Sequence, residues 1–451
     1  MIRHRIGRVS ELLSRREDVS ELRVIVEGGE SVALNYERLT GRAGPGDLLL
    51  LNTTAIHLSL GSGGLHFVEF NFSRPPPPFR GCGHIMKLRY TPWQMRVLSC
   101  EERASGHRPQ LDRFTGLAGM PVLIGELHSM VAPAAAVLKY YRPDCRIAYI
   151  MTDGTALPLA FSRSVARLKE RGLLSGTVTS GHAFGGDFEA VNVYSALAAC
   201  RELIGADAVI IAPGPGSVGT GSRLGFSGME AGEQVNRVSA LGGAPLLIPR
   251  LSFAERRRRH FGVSHHTLTA LELAALAPAR LVLPLMPRLR LCLRQLASRG
   301  LLLRHRLQVR PAPPLPAIME RLGLGLEAVE SMGRRYDDDP SFFDAAAVSA
   351  VAALEMLERN GEGREDSDGR DGKRSLGEDG FNRVPLPGKD RQSAPRSGAY
   401  ARERGGGYAR NSGAPRGCRY PGARRAAAPG AGKAVPPGGG RDPSGGAGGE
   451  T

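Results

Sequence analysis

Between residues 121 and 307, apolar runs of strand length alternate with amphipathic stretches of helical period. The runs predict strands at Val122–Ile124, Arg146–Met151, Gly176–Thr179, Ala208–Ala212, Pro245–Ile248 and Arg280–Leu285. The stretches predict helices at Ala132–Tyr141, Leu159–Arg171, Ala190–Ile204, Glu230–Leu241 and Thr267–Leu276. Such alternation favours parallel strands, because each helix returns the chain to the same end of the sheet. Most of the strands are apolar throughout, so we expect a doubly wound, mostly parallel sheet with helices on both faces.

The first 75 residues show shorter strands and more frequent turns, which is typical of a small all-β module. Strands are predicted around Val9 and at Leu22–Val26, Ser31–Leu34, Leu48–Leu51 and Leu65–Phe72. Glycine-rich turns separate several of them, so this N-terminal module is predicted to be a small antiparallel barrel or sandwich. The polyproline run Pro75–Pro78 marks its end.

The C-terminal part divides into a helical segment and a tail. Helices are predicted at Ala317–Leu322 and Phe342–Arg359. From residue 361 about a third of the residues are glycine or proline, and large aliphatic side chains are nearly absent. Such a chain cannot bury enough apolar area to offset its ordering entropy, which predicts a disordered tail. We therefore expect five parts: a β module (1–75), a connecting segment (76–120), an α/β domain that holds the site (121–307), a helical segment (308–360) and the tail (361–451).

Composition limits the location and partners of the chain. The six cysteines form no CxxC pair and no zinc-finger spacing, which favours a reducing compartment. We see no signal peptide and no uncharged apolar stretch of about 18 residues, so a cytoplasmic location without a membrane partner is expected. The net charge of +16 includes arginine runs such as Arg256–Arg259. Nucleic-acid binding therefore stays an alternative, although a solvated basic surface explains the same charge.

Polar residues follow the ends of several predicted strands, where parallel sheets hold their ligands. We predict an acid–base site formed by His182, His265, Asp153 and Asp187. A divalent metal would find candidate ligands in His128, His182, His265, Asp187 and Glu189. The alternative is that these residues cap helices or order loops. Asp187 in particular is expected to be the N-cap of the helix at Ala190.

A glycine-rich loop, Pro213–Gly228, follows the predicted strand that ends at Ala212. Its candidate substrate-binding residues are Gly214, Gly216, Gly219, Thr220 and Gly221, whose backbone amides can approach an anionic group closely. The loop lacks the lysine of a P-loop and the clean spacing of a dinucleotide-binding fingerprint. A long flexible surface loop is the alternative.

The segment Gly83–Pro92 connects the β module to the α/β domain. Lys87 and Arg89 are within it and are candidates for contacting an anionic ligand. The favoured interpretation is an exposed linking strand whose basic side chains point outward.

Four sequence motifs together resemble a known family. They are Gly83-His84-Ile85-Met86-Lys87-Leu88-Arg89-Tyr90-Thr91-Pro92, Met151-Thr152-Asp153-Gly154, Ser180-Gly181-His182-Ala183-Phe184-Gly185-Gly186-Asp187 and Gly262-Val263-Ser264-His265-His266-Thr267. Over roughly residues 1–355 the chain resembles a bacterial family known only as domain of unknown function 3866. The resemblance implies no activity, cofactor or site residue, and the tail is outside it.

The leading hypothesis is a cytoplasmic enzyme that acts on a small substrate bearing a phosphate or carboxylate. One alternative is a non-catalytic protein that binds a nucleotide or metabolite and regulates a partner. A second alternative is an RNA-binding protein that uses the β module and the basic surface. For the site residues selected here, the enzyme hypothesis requires the polar loops to open onto one shared hollow.

Overall fold

The computed structural model describes residues 1–61, 63–75, 82–325 and 330–368, the last nine of them by their backbone alone. The described residues belong to one compact unit, Met1–Ser375. Most of the polyproline segment, and the predicted tail from residue 369 onward, lie outside the described residues. The last helix continues to Asp368, so eight residues assigned to the tail are helical.

The N-terminal module is a closed five-stranded barrel, as predicted. Its strands are β1 (His4–Arg16), β2 (Val19–Val26), β3 (Gly29–Tyr36), β4 (Leu48–Asn52) and β5 (Leu65–Asn71). Two short helices belong to it, α1 (Glu37–Thr40) and α2 (Thr54–His57). The strand order is β1-β2-β3-β5-β4, and β1 pairs with β4 to close the barrel. With β3 parallel to β5, this is the topology of an OB-type barrel. Alternate strand residues such as Val9, Leu22 and Leu49 fill its core.

The connecting segment forms a small hairpin and one helical turn. They are β6 (Ile85–Lys87), β7 (Met95–Val97) and α3 (Arg108–Leu111). The expectation that Lys87 points outward is wrong, because only 1% of this residue is exposed. Its Nζ lies 2.6 Å from Oε2 of Glu189 and also donates to two backbone carbonyls, which compensates the buried charge.

The central sheet contains eight parallel strands in the order β11-β10-β9-β12-β8-β13-β16-β17. The strands are β8 (Pro121–Gly125), β9 (Ile147–Thr152), β10 (Gly176–Ser180), β11 (Phe188–Ala190), β12 (Ala208–Pro213), β13 (Ala244–Ile248), β16 (Arg280–Pro284) and β17 (Arg306–Arg310). All six predicted strands are present, and β11 and β17 extend the sheet at its two edges. A separate antiparallel pair, β14 (Leu251–Ser252) and β15 (Gly262–Val263), follows β13.

Helices accompany the sheet in two groups. The helices are α4 (Val131–Tyr141), α5 (Arg163–Glu170), α6 (Val193–Ala199), α7 (Glu230–Ala240), α8 (His265–Thr269), α9 (Leu289–Ala297), α10 (Leu301–Arg304), α11 (Leu315–Arg321) and α12 (Pro340–Asp368). Helix α4 packs against α5, α11 and α12, whereas α6 packs against α7. Helices α6 and α8 each continue into a π-helical turn, at Cys200–Ile204 and Ala270–Ala274.

The strand order identifies where the sheet would bind a ligand. This place lies along the carboxyl ends of the strands, which we call the ligand edge. The chain travels from β8 through β9 and β10 to one edge, and later from β12 through β13 and β16 to the other. Because crossovers are right-handed, the connections that leave β8 and β9 run on the opposite face from those that leave β12 and β13. The carboxyl ends of these four neighbouring strands therefore form a topological switch point, where α/β sheets hold ligands.

The connection between β10 and α6 differs from the prediction. Residues 181–187 lead the chain back to the amino ends of the strands, opposite the ligand edge, where it enters β11. Helix α6 therefore begins later than expected. Asn192, not Asp187, caps α6, and its side chain accepts a hydrogen bond from the amide of Ser195. The N-cap prediction for Asp187 is therefore wrong, because the short strand β11 separates it from the helix.

Within the described residues, one helix is long and apolar enough to cross a membrane by length and composition, Pro340–Arg359 of α12. Of the apolar window, 67% is buried inside the protein. Its neighbours are α4, β8, β13 and β16, so packing in the core explains the apolar composition of this helix.

Candidate functional site

A cavity of about 430 Å3 opens at the switch point of the sheet. Its lining comes from the connections after β8 and β12, the segment before α12 and the barrel. The lining residues are Gly61, Glu126, Leu127, His128, Ser129, Ser164, Pro213, Gly214, Pro215, Gly216, Ser217, Glu330, Ser331 and Met332. The volume suits a small metabolite.

Glu126 is the buried acid of this cavity. It directly follows β8, and only 1% of it is exposed. Its Oε1 accepts a hydrogen bond from Oγ1 of Thr267, whereas Oε2 is buried and has no hydrogen-bond partner. Burial raises the pKa of Glu126 to about 7, so both protonation states are populated near neutral pH. A carboxyl group in this condition can donate or accept a proton.

Arg250 supplies a buried positive charge beside Glu126. It follows β13 and is 4% exposed. One terminal nitrogen lies 3.2 Å from Nδ1 of His266, and the other lies 3.2 Å from Sδ of Met332, which lines the cavity. Glu126 and Glu255 attract it, but among the described residues no carboxylate lies within 4 Å of it, so a direct ion pair with an anionic ligand would add to its stabilisation.

His128 is fixed in the cavity wall by both ring nitrogens. Nδ1 lies 3.1 Å from the carbonyl oxygen of Pro213, which only accepts, so we assign the proton to Nδ1. Nε2 then accepts a hydrogen bond of 2.6 Å from the hydroxyl of Ser162, the N-cap of α5. Burial lowers the pKa of His128 to about 4, so the ring is neutral at pH 7. A metal could bind this histidine only if one of these bonds broke.

Three histidines lie together on the other side of Arg250. The cluster comprises His260, His265 and His266, whose ligand atoms all lie within 4.8 Å of one another. Ser264 caps α8, as its position in the sequence predicts, and places His265 and His266 on the first turn. Nε2 of His265 is buried and has no hydrogen-bond partner. Geometry alone permits a metal here, but positively charged guanidinium groups approach two of the rings.

The glycine-rich loop is an ordered excursion that contributes to two places. Gly214 and Gly216 line the cavity, and their substrate binding stays a prediction. Gly219, Thr220 and Gly221 instead belong to a small hairpin over the histidine cluster. The amide of Thr220 donates to the carbonyl of residue 225 and is thus already satisfied.

His182 and Asp153 are neighbours, but the cavity lining among the described residues includes neither. Oδ2 of Asp153 accepts a hydrogen bond from the backbone amide of His182. Nδ1 of His182 accepts from the amide of Leu88, and Nε2 lies 3.3 Å from Arg89. The pair connects the end of β10 to the linking hairpin, and its predicted acid–base role stays a prediction.

Asp187 and Glu189 are occupied by other partners. Asp187 accepts hydrogen bonds from Lys169 and Thr177 at the amino end of β10, away from the ligand edge. Burial favours a higher pKa for Asp187, but these hydrogen bonds outweigh it and lower the pKa. Glu189 binds Lys87 and the hydroxyl of Thr179. Their predicted contribution to a metal site would require these contacts to be replaced.

The polar loops therefore do not open onto one shared cavity. They divide into a cavity with Glu126 and His128, a histidine cluster, and a separate pair formed by Asp153 and His182. Our sequence analysis did not select Glu126 and Arg250. A carboxylate immediately after a fully apolar strand was the available signal for Glu126, whereas Arg250 lies among many arginines.

Comparisons with known proteins give a family and no activity. The model of a family described as "Protein of unknown function (DUF3866)" matches residues 32–350. No curated protein and no solved structure matches the chain. The match covers the α/β sheet and the part of the barrel from β3 onward, so the chain belongs to the DUF3866 family of proteins of unknown function.

Proposed function

We propose that the chain is an enzyme that acts on a small anionic substrate held in the 430 Å3 cavity. Glu126 is the general acid–base, and Arg250 neutralises the anionic group. The observation that carries the proposal is the free, buried Oε2 of Glu126, on a carboxyl group whose burial raises its pKa to about 7. A buried polar atom without a partner is uncommon, and a ligand in the cavity that Glu126 lines would supply one.

The chemistry of the cavity fits proton transfer. Acid–base catalysis is most efficient when the pKa of the group lies near the working pH, which Glu126 satisfies. Arg250 balances a negative charge that would otherwise be costly to bury. Gly214 and Gly216 allow the chain to run close to the ligand at the cavity wall.

The RNA-binding alternative receives less support from the barrel. Most of its arginines have a carboxylate within 4.0 Å, namely Arg3, Arg5, Arg15, Arg16, Arg23, Arg38, Arg42 and Arg74. Paired arginines release fewer counterions from nucleic acid than free ones. The metabolite-binding alternative uses the same cavity, and turnover distinguishes it from the enzyme.

The test is conversion of pooled phosphate- and carboxylate-bearing metabolites, followed by mass spectrometry. We expect wild-type protein to convert at least one compound and Glu126→Gln to slow that conversion by about 10²-fold or more. Glu170→Gln removes an exposed carboxylate elsewhere and should leave the rate unchanged.

The opposite results contradict the proposal. Equal activity of wild type and Glu126→Gln would remove Glu126 from the reaction. A compound that raises the melting temperature without being converted would favour the regulatory alternative.

A further inference from the structure

We propose that the histidine cluster, together with Arg250 and Arg259, binds a divalent oxyanion such as a phosphoryl group and takes up protons as it binds. The inference deepens the proposed function, on which it rests, by giving the charged group of the substrate a class and a place. Arg250 connects the two regions, since it contacts Met332 of the cavity and His266 of the cluster.

The balance of charge around the cluster is the first argument. Four arginines act on these histidines: Arg250, Arg257, Arg259 and Arg299. Arg257 pairs with Glu255 at 2.7 Å, and Arg299 pairs with Glu272 at 2.6 Å. For Arg250 and Arg259, the described part of the chain offers no carboxylate within 4 Å. Glu126 and Glu255 attract Arg250 from a greater distance, so two positive charges approach the cluster without a carboxylate in direct contact.

The hydrogen-bond partners of these two arginines are the second argument. Arg250 lies 3.2 Å from Nδ1 of His266, and Nε of Arg259 donates to Nε2 of His260 at 3.3 Å. Both are long bonds from a cation to a neutral ring nitrogen. A bond from a guanidinium to an oxyanion is typically shorter, about 2.7–2.9 Å, and joins two opposite charges, so an entering anion would be the better acceptor.

The histidine cluster is accessible to solvent on one side and is covered by a hairpin on another. Phe226 stacks on the ring of His266 with centroids 3.8 Å apart, and the hairpin that carries it passes over the cluster. A Cβ atom at Gly221 would lie 3.4 Å from the Arg259 guanidinium. Arg259 is exposed, and His265 and His266 are half-buried. A small anion can enter from this side.

Proton uptake follows from the same charges. Burial and the charge of Arg250 lower the pKa of His260 and His266 to about 3, and burial and nearby arginines lower that of His265. All three rings are therefore neutral at pH 7 in the empty protein. A dianion among them would cancel the repulsion from the arginines and raise these pKa values. The carboxylates that face the group, Glu255 and Glu272, are paired, and Glu126 is bound to Thr267.

The same arrangement disfavours a metal cation. Two arginine donors occupy one ring nitrogen each, Nδ1 of His266 and Nε2 of His260. Two uncompensated positive charges beside a divalent cation add repulsion instead of the neutralisation that metal sites need. The three rings lie close enough to bind a metal, but the two arginines beside them make an anion the favoured ligand.

The experiment is isothermal titration of the whole protein with inorganic phosphate at pH 7. We expect Arg259→Gln to weaken phosphate binding at least tenfold, since it removes one charged donor. Arg256→Gln is the matched control, because it removes an exposed arginine of the same loop and should change the affinity less than twofold. Equal effects of both variants would show only non-specific attraction and would overturn the inference.

Titration in two buffers of different ionisation enthalpy measures the protons. We expect net proton uptake in wild type and a smaller uptake in His265→Gln, whose substitution leaves both arginines in place. Absence of buffer dependence would overturn the proton-coupled site. Zinc binding that competes with phosphate and is lost in His265→Gln would likewise contradict it.

Glu126→Gln distinguishes the two proposals. This variant should still bind phosphate, because Arg250, Arg259 and the three histidines remain, while it loses turnover. If phosphate does not bind but Glu126→Gln still abolishes turnover, the inference fails and the proposed function stands. If phosphate binds as described but no compound is converted, the anion site stands without the enzyme.

Discussion

Oε1 of Glu126, at the end of β8, accepts a hydrogen bond from Oγ1 of Thr267 in α8. Thr267 also accepts a hydrogen bond from the backbone amide of Arg250. One buried hydroxyl thus holds together the acid of the cavity, the uncompensated arginine and the helix that begins with His265 and His266. The cavity and the histidine cluster are therefore connected through the Thr267 hydroxyl.

Glu126 should make the stability of the protein depend on pH. Its folded pKa, about 7, lies above the unfolded value near 4.5, so its stabilising contribution is complete below pH 4.5 and is lost as pH rises through 7. The full difference corresponds to about 3 kcal/mol, as an order of magnitude. Glu126→Gln should flatten this part of the profile, whereas Glu170→Gln should not. Chemical denaturation between pH 4.5 and 8 measures it, and identical profiles would contradict the buried acid.

His128 should act in the opposite direction. Its folded pKa, about 4, lies below the unfolded value near 6.5, so its contribution is present above pH 6.5 and is lost as pH falls through 4. We expect His128→Gln to reduce the loss of stability between pH 6.5 and 4.5 by about 1–2 kcal/mol. His57→Gln, at an exposed position, is the control. Parallel slopes for wild type and His128→Gln would show that this ring is not held neutral.

Gly181 should tolerate a side chain less well than Gly172. Both residues have positive φ, +64° and +66°. A Cβ at Gly181 would lie 2.1 Å from Oδ2 of Asp153, whereas a Cβ at Gly172 meets nothing within 4 Å. Gly172→Ala should cost only the backbone strain of about 1 kcal/mol, and Gly181→Ala should cost about 2 kcal/mol more. Urea denaturation of the two variants checks this, and equal costs would contradict the close approach.

The buried pair between Lys87 and Glu189 should be strongly coupled. Lys87→Met leaves the Glu189 carboxylate buried without its cation, which should cost about 3–5 kcal/mol. Arg89→Met, at an exposed position of the same segment, should cost less than about 1 kcal/mol. The double variant Lys87→Met/Glu189→Gln should recover part of the loss. A double-mutant cycle measures the coupling, and additive losses would contradict it.

Local patterns in the sequence were sufficient to predict most of the fold. Continuous apolar runs marked six of the eight strands of the sheet, and turn residues marked the five barrel strands. β11 was missed because it has three residues, Phe188–Ala190, and β17 because charged residues begin and end it. The place of each strand in the sheet was not predictable, since the order β9-β12-β8 departs from the order along the chain.

The strand order, which local patterns do not reveal, also explains why the predicted site residues do not all lie together. His182 and His265 both come near strand ends, but β10 and β13 are separated by three strands, and each histidine finds its own partners. Asp187 was assigned to the ligand edge, although β11 takes it to the opposite one. The decisive features of the site are Oε2 of Glu126, which has no hydrogen-bond partner, and Arg250, whose side chain contacts His266 and Met332 and has no carboxylate within 4 Å among the described residues. Such features depend on contacts between distant segments, which no local pattern reveals.

The most direct test is a crystal structure of the wild-type protein grown with the anionic metabolite that it converts or binds in the screen. The account predicts that the ligand occupies the cavity at the ends of β8 and β12, with its anionic group within about 3 Å of Arg250 and a polar atom facing Oε2 of Glu126. A ligand bound elsewhere, with Oε2 of Glu126 still unpartnered, would contradict the account.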